Sequence, residues 1–265
     1  MTPIAILARD LARPNRAQAA AMLDAEIAAW LALLDRLDAA DWTVRTVCPK
    51  WDVGDIARHL LGQAEDIARP WLFPLRNRRA RRSYPELPTL DGHMEVQADE
   101  HGHRDQSEVT EMFGRLWPKA ARRMRRLPAP LRALSVTTGL DMMPKLTIGY
   151  LHDVIYTRDL WMHRDDVCQA TGAALVLDAH DAAVVSQVIR DLDEVAWAGP
   201  PLLLELTGPA GGQWRLGGGA PIATVRADAV AFMRSLAGRD DSATIELITG
   251  DAHACTEAGD VRLPF

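Results

Sequence analysis

The sequence predicts an α+β chain: an N-terminal four-helix bundle followed by a small C-terminal α+β domain. Three observations predict it. Up to Gly172 the apolar residues recur at helical spacing over long segments. Those segments are separated by proline, glycine or capping acids. Beyond Gly172 the texture changes to short apolar runs around glycine-rich turns. Two domains are therefore expected, residues 1–173 and 174–265.

Pro14–Leu37 opens the bundle, with Ala19, Leu23, Ile27, Trp30 and Leu34 on one face and Asp38–Asp41 ending it. The link Trp42–Trp51 is turn-forming, and Asp52 or Gly54-Asp55 starts a second helix reaching Trp71, with His59 near its beginning. Arg76–Arg82 (RNRRARR) reads as a basic loop before the proline-rich SYPELP, and Asp91–His103 as a short helix. Ser107 is expected to cap a third long helix to Arg126, which Pro118 should kink or split. Leu131–Lys145 is a connection. The fourth helix is Thr147–Gly172, capped by Thr147 and stopped by Gly172.

In the second domain, Leu177–Val195 reads as a helix capped by Asp178. Pro201–Thr207 and Gln213–Leu216 read as strands around GPAGG. Ala223–Arg226 is a short strand leading into a helix at Asp228–Ala237, and Ala243–Thr249 a further strand or helix.

Composition excludes several functions. A formal net charge of -6 argues against a general nucleic-acid binder, so Arg76–Arg82 and Arg122–Arg126 read as solvated basic faces. No membrane span is expected, because Ala17–Leu34 is interrupted by Asp24 and Glu26 and no secretory pattern follows the N-terminus. Cys48, Cys168 and Cys255 are few and far apart, as befits reduced thiols in a cytoplasm, the expected location. Oligomeric state leaves no trace in these patterns.

Chemistry concentrates on the fourth helix. At about 100° per residue, His152, Tyr156, Asp159, His163 and Asp166 fall on one stripe. Asp159 and His163 are four apart and point to one spot, so a carboxylate and an imidazole converge as a metal site needs. The third ligand has to come from elsewhere. Asp166 is placed to accept the second ring N–H of His163. His152 is about 10 Å from Asp159 along the axis, too far to share an ion, and reads as a buried or rim histidine. Arg158 and Arg164 flank the stripe and read as surface arginines, Trp51 and Trp161 as core, and Cys48 and Cys168 as buried and inert. EHGH at Glu100–His103, with His93, raises a second metal reading for which no partner motif exists.

Three segments carry a resemblance. CPKWDVGDIARHL around His59, RDLWMHRDDVCQATG from Arg158 to Gly172, and LTGPAGGQWRLGGG followed by FMRSLAGR are together similar to the mycothiol-dependent maleylpyruvate isomerase family, one of the DinB-like metal-binding bundles. The resemblance covers nearly the whole chain. It implies a DinB-like four-helix bundle in which His59, Asp159 and His163 hold one divalent metal. Zinc is expected, with nickel, manganese or iron as the alternatives. The family pattern has Glu where this chain has Asp159, whose side chain is one methylene shorter.

Two imidazoles and one carboxylate leave a divalent cation net positive with open positions. A thiol meeting it loses its proton. The implied function is an enzyme using a low-molecular-weight thiol, mycothiol, against a small electrophilic substrate, with cis-trans isomerisation or S-transfer as the outcome. An arginine of the C-terminal domain is implied as a catalytic clamp on the substrate, and Arg234 and Arg239 are the candidates. The alternative is a non-catalytic metal-binding or sensor module on the same fold, which the change to Asp159 leaves open.

Overall fold

The computed structural model describes residues 5–137, 143–239 and 243–263. They form two units, residues 16–176 and the remainder on either side of it. The expected boundary at 173/174 differs in two respects: the division falls three residues later, at 176/177, and the described residues up to Asn15 belong with the C-terminal unit rather than with the bundle. Part of the connection Leu131–Lys145, residues 138–142, lies outside the described residues, as do residues 1–4 of the N-terminal piece.

After the short strand β1 (Ile6–Leu7), the bundle unit runs α1 (Arg16–Leu34), α2 (Val53–Ala68), α3 (Leu72–Ser83), α4 (Thr89–His101), α5 (Gln106–Arg126) and α6 (Ala129–Arg132). An antiparallel pair follows, β2 (Ser135–Thr137) and β3 (Lys145–Thr147), and then α7 (Ile148–Tyr150) and α8 (Tyr156–Thr171). The last two are joined by a π turn at Leu151–Ile155. The expected fourth helix is thus continuous in direction but interrupted in register. Thr147 caps it by accepting from Tyr150 N, and Gly172 stops it at φ 73°, where a side chain would be strained.

Three local expectations are corrected. Asp105, not Ser107, caps α5, in a reciprocal box with Glu108. Pro118 does not split α5: the helix runs on from Gln106 to Arg126, with Val109, Phe113, Leu116 and Trp117 buried on one side of that point and Ala120, Ala121 and Met124 on the other. The basic run is not a loop but most of α3, because Arg76 turns inward. Its guanidinium meets Glu65 Oε2 at 2.6 Å, Asp66 Oδ1 at 2.8 Å, Glu100 Oε2 at 2.8 Å and Gly62 O at 2.7 Å.

The bundle core holds Trp30, Leu33, Leu60, Phe113, Trp117 and Leu160, all fully buried. Each stabilises the fold by about 1.5–3 kcal/mol. Trp30 Nε1 donates to Leu160 O at 2.8 Å, satisfying the one polar atom of that ring. Among the described residues α1 is the one helix long and apolar enough to cross a membrane. Its Leu23, Ile27, Trp30 and Leu34 belong to this core.

The second unit continues with α9 (Ala179–Asp191), capped by Asp178 as expected and prolonged by a π turn at Leu192–Ala196. Then come β4 (Leu202–Thr207), β5 (Gly212–Leu216), β6 (Ala223–Asp228), α10 (Ala229–Leu236), β7 (Glu246–Gly250) and α11 (His253–Asp260). The sheet order is β1-β5-β4-β6-β7, with β4 and β6 parallel and β1 parallel to β5. Leu202, Leu204 and Leu206 alternate inward on β4, as Ala223, Val225 and Ala227 do on β6. Asp193 ties in the N-terminal segment: it accepts from Arg9 N and from the Arg9 guanidinium, and from Gly217 N at 2.7 Å.

Candidate metal centre

Asp52 begins α2 with a capping box shared with Asp55, which sets the helix phase so that His59, in the second turn, points into the bundle. Asp159 and His163 point from α8 to the same place, as their four-residue spacing requires. One donor atom from each of His59, Asp159 and His163 lies within 4.8 Å of the other two. His59 Nε2 is 3.9 Å and His163 Nε2 3.6 Å from Asp159, on its two different oxygens. Both imidazoles are buried, and neither ring nitrogen of His59 has a hydrogen-bond partner. A buried imidazole without a partner is costly, and an ion between these donors removes that cost at Nε2.

Each donor is positioned. His163 Nδ1 is 3.1 Å from Asp166 Oδ2, which leaves Nε2 for the centre, as the sequence suggested. Gln63 Nε2 donates to Asp159 Oδ2 at 2.9 Å. Trp51 lies against both imidazoles, 4.8 Å from the His59 ring and 6.1 Å from that of His163, and donates from Nε1 to Glu95. Its place is thus the wall of the site as well as the core. Cys48 Sγ is 3.8 Å from Asp166 Oδ2, so Cys48, His163 and Asp166 form a neighbouring cluster.

The charges follow from burial and pairing. Burial pushes the His59 pKa down, and Asp159 only partly opposes it, so this imidazole is neutral. Burial also disfavours a charged His163, but Asp159 and Asp166 outweigh it and raise its pKa to about 10. For Asp159 burial opposes ionisation, while His163, His59 and Gln63 hold it well below the usual carboxylate range. At neutral pH the centre therefore pairs a protonated His163 with an ionised Asp159 beside a neutral His59.

Gln63 was missed in the sequence. The one signal for it was its position one turn beyond His59 on the same face of α2. Arg158 and Arg164 are not surface residues but buried; Arg164 clamps Glu26 at 2.7 Å and Val176 O at 2.9 Å. The EHGH histidines do not gather. His93 meets Asp66 at 2.7 Å and Asn77 at 2.8 Å, His101 is 3.3 Å from Glu65, and His103 is exposed. Arg234 is buried in the last turn of α10. Arg239 follows that helix in a turn where its N–H donates to Arg234 O at 3.0 Å, with Gly238 at φ 66°.

Fold and site together define a DinB-like helical bundle with a three-donor candidate metal centre, followed by an α+β unit. Residues 23–168 match the mycothiol maleylpyruvate isomerase N-terminal domain, and the chain belongs to that family. Two crystal structures are similar, one of mycothiol-dependent maleylpyruvate isomerase and one of a histidine-to-alanine mutant of it. Each shares 14% identity at a TM-score of 0.57, covering 93% of this chain and 97% of the other. At that identity the likeness concerns the fold. No curated protein matches the chain.

Proposed function

We propose that the protein is a divalent-metal-dependent enzyme that uses mycothiol on a small electrophilic substrate, with cis-trans isomerisation or S-transfer as its reaction. The observation that carries this reading is the convergence of His59, Asp159 and His163 on one buried spot, with the His59 ring nitrogens unpartnered. Membership of the family supports the thiol. A divalent ion there, zinc by its fit to two imidazoles and a carboxylate, would supply Lewis acidity and lower the pKa of an incoming thiol.

The chain's own part is positioning. Asp166 fixes the His163 ring so that only Nε2 faces the centre. Gln63 holds the rotation of the Asp159 carboxylate from α2. Trp51 screens both imidazoles from water and so strengthens the electrostatics at the centre. Arg234 and Arg239 are the proposed clamp for an anionic substrate group.

The test is a thiol-dependent turnover assay on zinc-loaded protein with mycothiol and conjugated cis-configured acids. Turnover should require both metal and thiol and should stop in His59→Ala. Metal-loaded protein that binds mycothiol yet turns over nothing would favour the sensor module instead.

A further inference from the structure

α3 turns Arg76 and Ala80 into the protein and leaves its opposite side in water. At about 100° per residue, Trp71, Leu75, Arg78 and Arg82 form one outward stripe. Trp71 extends it because this N-cap residue already has helical angles, φ -70° and ψ -16°. The stripe is divided along its length. Its first half is apolar: Trp71 and Leu75 are each 60% exposed, and Phe73 is 46% exposed although its ring centroid lies 4.7 Å from that of His93. Its second half is basic: Arg78, Arg81 and Arg82 are exposed, and none forms an ion pair with the described residues. No acidic residue occurs anywhere in Leu72–Ser83.

Scattered exposed apolar side chains are ordinary, but these stand close together at one end of one helix and mark an interaction surface. The charge beside them decides the partner. A second copy pairing through the same face would set arginine against arginine or against apolar side chains. A nucleic-acid duplex would engage the arginines and leave Phe73 and Leu75 in water. A bilayer with anionic headgroups meets both halves, with phosphates for the guanidinium groups and an apolar boundary below them. At a formal net charge of -6, the chain approaches such a surface through a local cluster of cations.

We propose that the outward face of α3 docks the protein on an anionic lipid bilayer, with Trp71, Phe73 and Leu75 entering the headgroup boundary and Arg78, Arg81 and Arg82 lying on lipid phosphates. The face uses none of His59, Asp159 or His163 and stands whatever the metal centre does.

The experiment floats the full chain with vesicles of phosphatidylglycerol and phosphatidylcholine, and with vesicles of phosphatidylcholine alone. The protein should rise with the anionic vesicles only, and less so as salt is added. Trp71→Ala with Leu75→Ala should weaken binding about tenfold or more. Arg78→Ala with Arg82→Ala should weaken it about thirtyfold, at about fivefold for each cation. Arg122→Ala with Arg126→Ala removes the same charge from the end of α5 and should leave binding unchanged. An unaltered thermal transition shows that each variant is folded. Absence of binding, equal binding to phosphatidylcholine, or an equal loss in the α5 variant would overturn the proposal. So would binding that survives Trp71→Ala with Leu75→Ala, which would make the face a general polyanion site, or self-association that those substitutions abolish, which would give it to a second copy.

Discussion

Gln63 is the side chain whose role is most open to direct test. Its bond to Asp159 links the α2 and α8 sides of the centre, and Gln63 is not itself one of the three donors. Gln63→Leu should weaken metal binding about tenfold, the usual effect of removing a group that orients a ligand, and leave the thermal transition nearly unchanged. Competitive titration with a chromophoric chelator measures it, and unchanged affinity would remove Gln63 from the account. A second residue-scale prediction concerns His163. With its pKa raised to about 10, Nε2 holds a proton at neutral pH that an incoming ion must displace. Metal uptake at pH 7.5 should therefore release about one proton per ion, seen as a dependence of the calorimetric heat on buffer ionisation enthalpy. Apparent affinity should fall as the pH is lowered.

At the scale of elements, α2, α3 and α4 are joined by charge rather than by apolar contact alone. Arg76 serves Glu65, Asp66 and Glu100 at once from a fully buried position. Arg76→Ala would leave those carboxylates buried without their cation and should destabilise the bundle by about 3–5 kcal/mol, read from denaturant unfolding. The same junction gives an acid limb. Burial alone would raise the Glu65 pKa, but His101 and Arg76 outweigh it and hold it at about 2, against an ordinary 4.5. A depressed folded-state pKa stabilises fully above the unfolded value, so this contribution is lost as pH falls from about 4.5 towards 2. Glu65→Gln should flatten stability across that window, and a slope identical to that of the unsubstituted protein would contradict the pairing.

This junction is also where the sequence was hardest to read. RNRRARR carries no apolar stripe, because of its two inward-facing residues, Arg76 and Ala80, the first is itself an arginine, and periodicity counts only apolar residues. The π turn was invisible for a similar reason: nothing in LHDVI distinguishes it from an α-helical turn, and a register shift leaves no compositional mark. By contrast Thr147, Gly172 and Asp178 were legible as caps because capping chemistry is local.

For the molecule as a whole, the division into a helical bundle and an α+β unit was legible from texture. The assignment of the first residues was not. Ile6–Leu7 forms a strand of two residues, parallel to Gly212–Leu216, and so short a pairing between distant segments has no periodic signal. Of the candidate centre, the Asp159–His163 pair came from helical geometry. His59 came from family resemblance alone, since nothing local says that α2 and α8 bring it there. Arg234 and Arg239 sit together at the end of α10. If one of them clamps the substrate, Arg234→Lys and Arg239→Lys will differ: the clamp variant will raise KM at least tenfold, since a bidentate fork is lost, and the other will not.

The central claim is that His59, Asp159 and His163 form one metal centre. Its most direct test is metal analysis of the purified protein beside His59→Ala and His163→Ala. About one divalent ion per chain in the unsubstituted protein, lost in both variants while each stays folded, is the predicted result. Metal retained by folded variants, or a protein that takes up none, would contradict it.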